Sequence, residues 1–396
     1  MKYKKFVNFA CKIKIYLVAL LNYFLFFLLL IIRPFKKIKI FELETRAIGH
    51  YSLSIEIFLS EIEKGIIDKD QIYLAITNKT VANKFLLKKW KPFFIIISYK
   101  FDFFLNFLRK FKFGHFFLAP YRGWKKPSIP WQYIDINNVL KNSSPFIKFT
   151  NHEIEVGNKT LKELGVVNEN YVCFNSRSGD YRNDFDSNSN GDINCQIKGI
   201  QELTNYGLKA IRMGAIGQPR LAPHPDIIDY ANSKYKSEFN DIFLAFNCKF
   251  MISNGTGIDR IPILNRKKTI IINYFCNGFH DIHSEFTSIF VPKKIKCLKT
   301  GRFLTFQEIF KLGLFNISSK TKLKEFGYLS HENNEDEIRD TIMEMYDLII
   351  CKKKIEFIYD LNKSFWDNFE KYNYERPNPG DIMISPSFIK KNLDLF

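Results

Sequence analysis

The chain has no CxxC pair, and its seven cysteines, at 11, 173, 195, 248, 276, 297 and 351, are odd in number and widely spaced. That pattern supports neither a disulfide framework nor a zinc cluster, and it suits a reducing compartment. Most of these cysteines read as small buried hydrophobes. Arginine is scarce beside lysine, although the net charge is +18. Lysine is a point charge without the rigid fork that reads phosphates or base edges, and Ile, Asn, Phe and Tyr crowd the chain as an AT-rich genome writes them. The bulk charge therefore points only weakly to nucleic acid, which is not expected as a partner, and the rare arginines at 46, 177, 182 and 212 carry more information. Internal repeats and low-complexity linkers are lacking too, and 396 residues suit two α/β domains with an N-terminal addition.

One long apolar run is present. Residues 15–32 are apolar apart from Asn22, which is near the lower limit for crossing ~30 Å of hydrocarbon. Arg33-Pro34-Phe35-Lys36-Lys37 follows where a cleavage site would need small residues, so an anchor is expected rather than a cleaved signal. Lysines 2, 4, 5, 12 and 14 precede the run, and basic residues flank both its ends. The segment therefore either spans the membrane or lies in one leaflet. The expected location is the inner (cytoplasmic) membrane, with the domains facing the cytoplasm.

Beyond the anchor (1–37), strands at 38–43, 71–76 and 93–98 alternate with helices at 52–67, 81–90 and 102–111. Such alternation predicts a parallel sheet covered on both faces. The proline-bearing stretch 120–149 reads as irregular. Strands at 171–176, 208–213, 249–253 and 269–274 then alternate with helices at 194–206 and 238–247, and terminal helices lie within 335–372. The division expected is a first Rossmann-like domain over 38–160 and a second over 161–396.

Ser253-Asn254-Gly255-Thr256-Gly257 falls between an apolar strand and a helix start. Glycines there let backbone N–H groups approach a phosphate, although ordinary tight turns use them equally well. Arg177 and Arg212 end strands at the edge where open α/β sheets bind ligands, and two guanidiniums suit a diphosphate. The competing reading pairs each with one of the nearby carboxylates, Asp180, Asp192 or Asp241, merely to hold loops. Asp180 and Tyr181 would otherwise orient the arginine or a sugar. Asp184-Phe185-Asp186 matches a metal-holding DxD, a pattern short enough to arise by chance. Residues 186–197 imitate a calcium loop but place Ile197 where a bidentate Glu is needed. His280 and His283 have no third ligand near them in sequence, so no metal or other cofactor is expected. In the first domain, Arg46-Ala47-Ile48-Gly49-His50 fills the first strand-to-helix turn, which should face an interdomain cleft. His50 there suits a general base, or equally a packing histidine, with Glu56 as partner or as solvated carboxylate.

Several motifs recur in order: Tyr171 to Arg177, Gly207 to Gly214 with Arg212, Asp229-Tyr230-Ala231-Asn232-Ser233, Phe239-Asn240-Asp241, Ile252 to Gly257, Asn273-Tyr274 and Leu304 to Phe306. Together with Arg46 to His50 they resemble a family of bacterial glycosyltransferases found with surface-polysaccharide genes. The resemblance implies a GT-B-like architecture, metal-independent transfer from a nucleotide-diphosphate sugar, and a glycan or lipid-linked acceptor. Its arginine-bearing strand end is similar to that of fucosyltransferase-type enzymes. By that similarity Arg177 and Arg212 would neutralise the donor diphosphate as the glycosidic bond breaks, and with the residue readings above the expected catalytic residues are His50, Arg177 and Asp180. Substrate contacts would come from Arg46, Gly49, Arg212, Gly214, Tyr230, Ser233, Asp241, Ser253, Gly255, Thr256, Gly257 and Asn273. The chain departs from the family at Asn175-Ser176-Arg177-Ser178, where His-x-Arg-Asp is usual, and at Ser189 to Ile193, where Arg-Asn-Ser-Asp-Ile is usual. A catalytically weak scaffold of a polysaccharide-assembly complex is the alternative those departures favour.

Overall fold

The computed structural model describes residues 2–119, 135, 137–167, 169–181, 183–215, 218–275, 287–355, 358–372 and 383–396. The chain forms two compact units, Met1–Gln132 and Tyr133–Phe396. Arg182, His280, His283 and most of the stretch expected to be irregular lie outside the described residues.

In the first unit a long helix, α1 (Lys2–Ile32), precedes β1 (Lys37–Leu43), α2 (Leu53–Glu63), β2 (Gln71–Thr77), α3 (Lys84–Trp90), β3 (Ile95–Ile97) and α4 (Asp102–Lys110). The strands pair in parallel in the order β1-β2-β3. This is the alternation read from the sequence, with each of the three helices that follow α1 shorter than expected. Asn83 starts α3 by accepting from the Leu86 N–H, which shortens the helix expected from Val81. Phe58 of α2 meets Phe41, Tyr73 and Phe94 at ring-centroid distances of 5.7, 5.2 and 6.0 Å. Along α1, Asn22, Phe26 and Leu29 are buried on one stripe, in contrast to most of their neighbours. Phe26 lies edge-on to Phe111 of the α4 end and to Phe117, at 4.9 and 5.4 Å.

The second unit begins with α5 (Asn151–Glu163), β4 (Tyr171–Phe174), α6 (Ile197–Asn205), β5 (Lys209–Arg212), β6 (Ile227–Ile228), α7 (Glu238–Asn247), β7 (Phe250–Ser253), α8 (Arg260–Leu264) and β8 (Lys268–Tyr274). It continues with β9 (Thr287–Pro292), β10 (Lys294–Cys297), α9 (Phe306–Lys311), α10 (Lys320–Glu325), β11 (Tyr328–His331), α11 (Glu335–Ile349), α12 (Tyr359–Lys371), β12 (Met383–Ile384) and α13 (Pro386–Lys391). Seven strands form one sheet in the order β12-β9-β8-β7-β4-β5-β6, and every pairing in it is parallel. Burial on both faces explains the unbroken apolar runs. Ile270 and Ile272 of β8 join Ile200, Leu203, Ile338 and Ile342 from α6 and α11. Ile271 joins Phe306, Phe310, Phe365 and Phe388 from α9, α12 and α13.

The sheet does not close at β8 as the sequence suggested, because β9 and β12 extend it. The boundary expected between 160 and 161 falls inside α5. That helix packs against α7 so closely that a Cβ on Gly157 would lie 2.2 Å from the Phe243 ring.

Candidate functional site

The strand order places a topological switch point in the larger sheet. From β4 the chain steps to β5 and β6 on one side, then returns through β7 to build β8, β9 and β12 on the other. This puts the candidate crevice between the carboxyl ends of β4 and β7, the place where open α/β sheets bind ligands.

Two loops flank this crevice, and amide side chains tie them together. After β4, Asn175 donates through its side chain to Thr256 Oγ1 at 3.1 Å, and the Arg177 N–H donates to Asn254 Oδ1 at 2.8 Å. Asn254 Nδ2 donates in turn to the Ser189 carbonyl at 3.0 Å. Ser176 Oγ bonds the Gly191 carbonyl, and the Gly191 N–H bonds the Arg177 carbonyl, at 2.8 and 2.9 Å. A Cβ on Gly191 would sit 3.0 Å from Asn254 Nδ2 and 3.1 Å from Ser176 Oγ, so glycine lets the 187–191 segment close over the strand ends.

Arg177 is a cation that this frame leaves within reach of solvent. Its side chain is 35% exposed, and its guanidinium pairs with Asp184 at 2.7 Å. Asp184 takes the partner role expected of Asp180, which is exposed on a short turn at 179–181. The pair is solvent-exposed and therefore weak, so a diphosphate can displace the carboxylate. Asp186 is engaged elsewhere. It accepts from Thr321 N and Thr321 Oγ1 at 2.8 and 2.7 Å, and from Ser319 Oγ, at the start of α10. Bonds from Ser319 and Thr321 hold its carboxyl below the usual range. The two carboxylates of the DxD thus serve different parts of the fold.

Arg212 corrects the expectation of paired ligand arginines. It is 3% exposed, and it donates to Asp229 at 2.8 Å, the Pro219 carbonyl at 2.9 Å and Gln218 Oε1 at 3.1 Å. The competing, loop-holding reading applies, with Asp229 as the partner. Burial acts to raise the Asp229 pKa, and the bonds from Asn232, Arg212 and Leu221 outweigh it, leaving the carboxyl below its ordinary value. Gln218, which the sequence did not flag, also donates to Ser178 at 3.1 Å and so joins the Arg212 loop to the Arg177 loop. Gly214, at φ +155°, makes room for it, since a Cβ there would meet Gln218 Oε1 at 2.2 Å.

Tyr230 and Asp241 likewise turn inward. The Tyr230 hydroxyl donates to Asp241 at 2.9 Å and accepts from the Ser237 N–H at 3.2 Å, and Lys236 pairs with Asp241. Burial first, then the Asp241 charge, pushes the Tyr230 pKa far up. Ser233 accepts from the Tyr235 N–H at 3.3 Å in its own turn. These residues build the entry to α7; Tyr230 is buried, while Ser233 and Asp241 are half-buried and committed to bonds within it.

The glycine turn is also more self-contained than a phosphate cradle at a helix start. Gly255 sits at φ +83°, a conformation that favours glycine. Ser253 is buried and donates to Asp259 at 2.9 Å, and the Thr256 N–H donates to the same carboxylate at 2.7 Å. The helix that follows, α8, is only 5 residues long and contributes little dipole. What remains accessible is the half-buried surface of Gly255, Thr256 and Gly257 beside Arg177. Asn273 is buried at φ +49° and exchanges backbone-to-side-chain bonds with Asn333 at 2.8 and 2.6 Å.

A buried lysine completes the frame, and sequence reasoning passed over it because a lysine after a strand-ending proline reads as solvated. Lys293 is 1% exposed, donates to the Asn190 carbonyl at 2.6 Å and lies 3.6 Å from Glu332. Burial pushes its pKa down to about 8, Glu332 acts against that shift, and Lys320 adds to it. The unfolded lysine keeps its proton up to about 10.5, the folded one only to about 8, so stability rises with pH between those values. Lys293→Met is expected to abolish a rise on the order of 1–3 kcal/mol in urea melts compared at about pH 7 and about pH 10. Identical pH slopes for parent and variant would refute the assignment.

In the first unit the loop after β1 holds the other predicted residues. Arg46 is bonded twice to Glu44 of the same loop, at 2.6 and 2.8 Å. The carbonyl of buried Gly49 accepts from Ser52 Oγ at 3.1 Å, and the carbonyl of half-buried His50 accepts from Ser54 Oγ at 3.0 Å. Thr45 ties this loop to the one after β2 through Asn78 at 2.8 Å. Glu56 is fully buried, which removes the reading of a solvated carboxylate.

No family model and no curated protein matches the chain. Among solved structures it is similar to the glycosyl transferase family 9 protein of Veillonella parvula, at 11% identity over 80% of this chain and 98% of that one, with a TM-score of 0.47. It is also similar to E. coli ADP-heptose lps heptosyltransferase II, at 10% identity over 59% of this chain and 84% of that one, with a TM-score of 0.36. An E. coli heptosyltransferase bound to ADP aligns at 9% identity over 59% and 86% of the two chains, with a TM-score of 0.30. These neighbours are glycosyltransferases, heptosyltransferases among them.

Proposed function

We propose that the chain is a glycosyltransferase that binds a nucleoside-diphosphate sugar at the carboxyl edge of the larger sheet. The observation that carries this reading is the switch-point crevice between β4 and β7, rimmed by an accessible guanidinium on one loop and a glycine turn on the other. Fold alone does not give function, and the chemistry rests on these residues. In transfer, an acceptor hydroxyl oxygen attacks the anomeric carbon, the bond to the β-phosphate oxygen breaks, and the diphosphate leaves with the electron pair. Arg177 supplies fixed positive charge where negative charge develops. Arg212, Gln218 and Asn254 hold the loop that carries it. His50 is our candidate base for the acceptor hydroxyl, because an imidazole titrates near neutral pH. The acceptor we assign is a glycan or lipid-linked glycan.

A second reading, a binding scaffold for a polysaccharide-assembly complex, draws on the burial of Arg212, which leaves Arg177 as the accessible cation of the pair. Thermal melts of the full chain with ADP, GDP, UDP and CDP separate the two. A nucleotide at ten times its Kd is expected to stabilise the protein by about 1.4 kcal/mol, or roughly 2 °C. Arg177→Ala should remove that response while leaving the melting point of the free protein within about 1 °C, since exposed pairs contribute little. A folded protein that responds to none of the four supports the scaffold.

A further inference from the structure

The first unit carries an exposed apolar surface that the nucleotide reading does not use. Over Ile13–Ile32, α1 has a mean hydropathy of 2.7, long and apolar enough to cross a membrane. It is not a free rod, however. Its Asn22, Phe26 and Leu29 stripe packs on the unit, and Tyr23 lies edge-on to Phe107 and Phe111 at 5.3 and 5.9 Å. Nine residues, 13–21, then remain between the start of the apolar window and the first buried stripe residue, about 14 Å of helix against ~30 Å of hydrocarbon. Spanning would strip these contacts or pull α4 into the bilayer.

The outward face of α1 leads into a second apolar projection. Phe111 meets Phe113 at 5.9 Å, and Phe113 stacks on Phe116 at 6.4 Å. Phe113 and Phe116 remain 48% and 37% exposed. Gly114 makes the turn between them possible, since a Cβ there would lie 1.9 Å from the Leu108 carbonyl oxygen. Cations surround this turn. The Arg33 guanidinium lies 4.4 Å over the Phe116 ring, Lys112 Nζ lies 5.8 Å from the Phe113 ring, and Lys39 donates to the Phe116 carbonyl at 2.9 Å. Exposed Lys36 and Lys110 stand on the adjoining segments. Lys37 is balanced by Asp68 at 3.2 Å.

Apolar side chains ringed by basic ones complement an anionic bilayer, where acyl chains take the rings and headgroup phosphates take the cations. We propose that the first unit docks in the plane of an anionic phospholipid surface, through the outward face of α1 and the Phe113–Phe116 turn acting together as insertion points. The proposal is independent of the nucleotide site.

The test uses the full chain in phosphatidylcholine vesicles with brominated acyl chains, with and without phosphatidylglycerol. Phe113→Trp places a fluorophore at the exposed tip. Its added emission, taken as the difference from the parent protein under the same conditions, is expected to fall by about two-fold in brominated vesicles containing phosphatidylglycerol, and less without it. If the vesicles retain the protein but the added emission is not quenched, α1 tethers the unit without docking it and the proposal fails. Equal quenching without phosphatidylglycerol overturns the anionic requirement. A matching Phe58→Trp variant, in the interior of the same unit, should stay unquenched; quenching there overturns docking of a folded surface.

Discussion

Replacing Asn254 with alanine is expected to weaken nucleotide binding more than ten-fold and to lower stability by about 1–3 kcal/mol, because two part-buried groups lose their partners at once. Asn254 is 2% exposed, and its single side chain holds the Arg177 N–H and the Ser189 carbonyl. Without it the loop that aims Arg177 and the segment that closes over the strand ends come apart together. Asn254→Asp tests the argument more finely. It keeps an acceptor for Arg177 N but loses the donor to Ser189 O, and it places negative charge beside the site, so it should preserve more stability than alanine and bind nucleotide no better. Chemical denaturation and nucleotide titration of both variants check this. Wild-type affinity in Asn254→Ala would show that the crevice is not where the nucleotide sits.

Asp259→Ala is expected to be the more damaging to folding, by about 3–5 kcal/mol, the usual cost of taking the paired carboxylate from a buried charge. Asp259 and Arg260 are both nearly inaccessible and pair at 2.8 Å. The same carboxylate fixes Ser253 and the Thr256 N–H, so its loss also releases the glycine turn. Asp259→Asn, which removes the charge and nearly keeps the shape, should therefore lie between the parent and Asp259→Ala in urea melts. A stability of Asp259→Asn equal to that of Asp259→Ala would contradict this reading of the pair.

The alternation of strands and helices was legible because a parallel sheet buried on both faces writes long apolar runs, and the runs at β1, β2, β4, β5, β7 and β8 all became strands. What escaped notice has physical reasons. α5 carries exposed Ile154 and Val156 and a mid-helix glycine, so its apolar spacing is blurred, although the Thr150 and Glu153 capping box was a readable start signal. The two-residue β12 is too short to have a period. The placement of Arg177 and of the glycine turn just after strand ends was legible, because the apolar runs of β4 and β7 stop there. The pairing of Arg212 was not legible, because its true partner, Asp229, lies 17 residues away across a proline-rich loop. Nor could spacing show that Asn254 and Lys293 turn inward, since Asn and Lys are ordinarily surface residues. The acceptor-side expectation rests on His50 and the Arg46 loop, where the structure adds the Glu44 pairing and the bond to the β2 loop.

Hydrogen exchange of the full chain, followed with and without a stabilising nucleoside diphosphate, tests the central claim most directly. The account predicts slowed exchange in two separate segments, the loop after β4 at 175–178 and the turn after β7 at 253–257, with no slowing at 175–178 in Arg177→Ala. Bound nucleotide that leaves both segments unchanged, or protects another part of the chain instead, would contradict it.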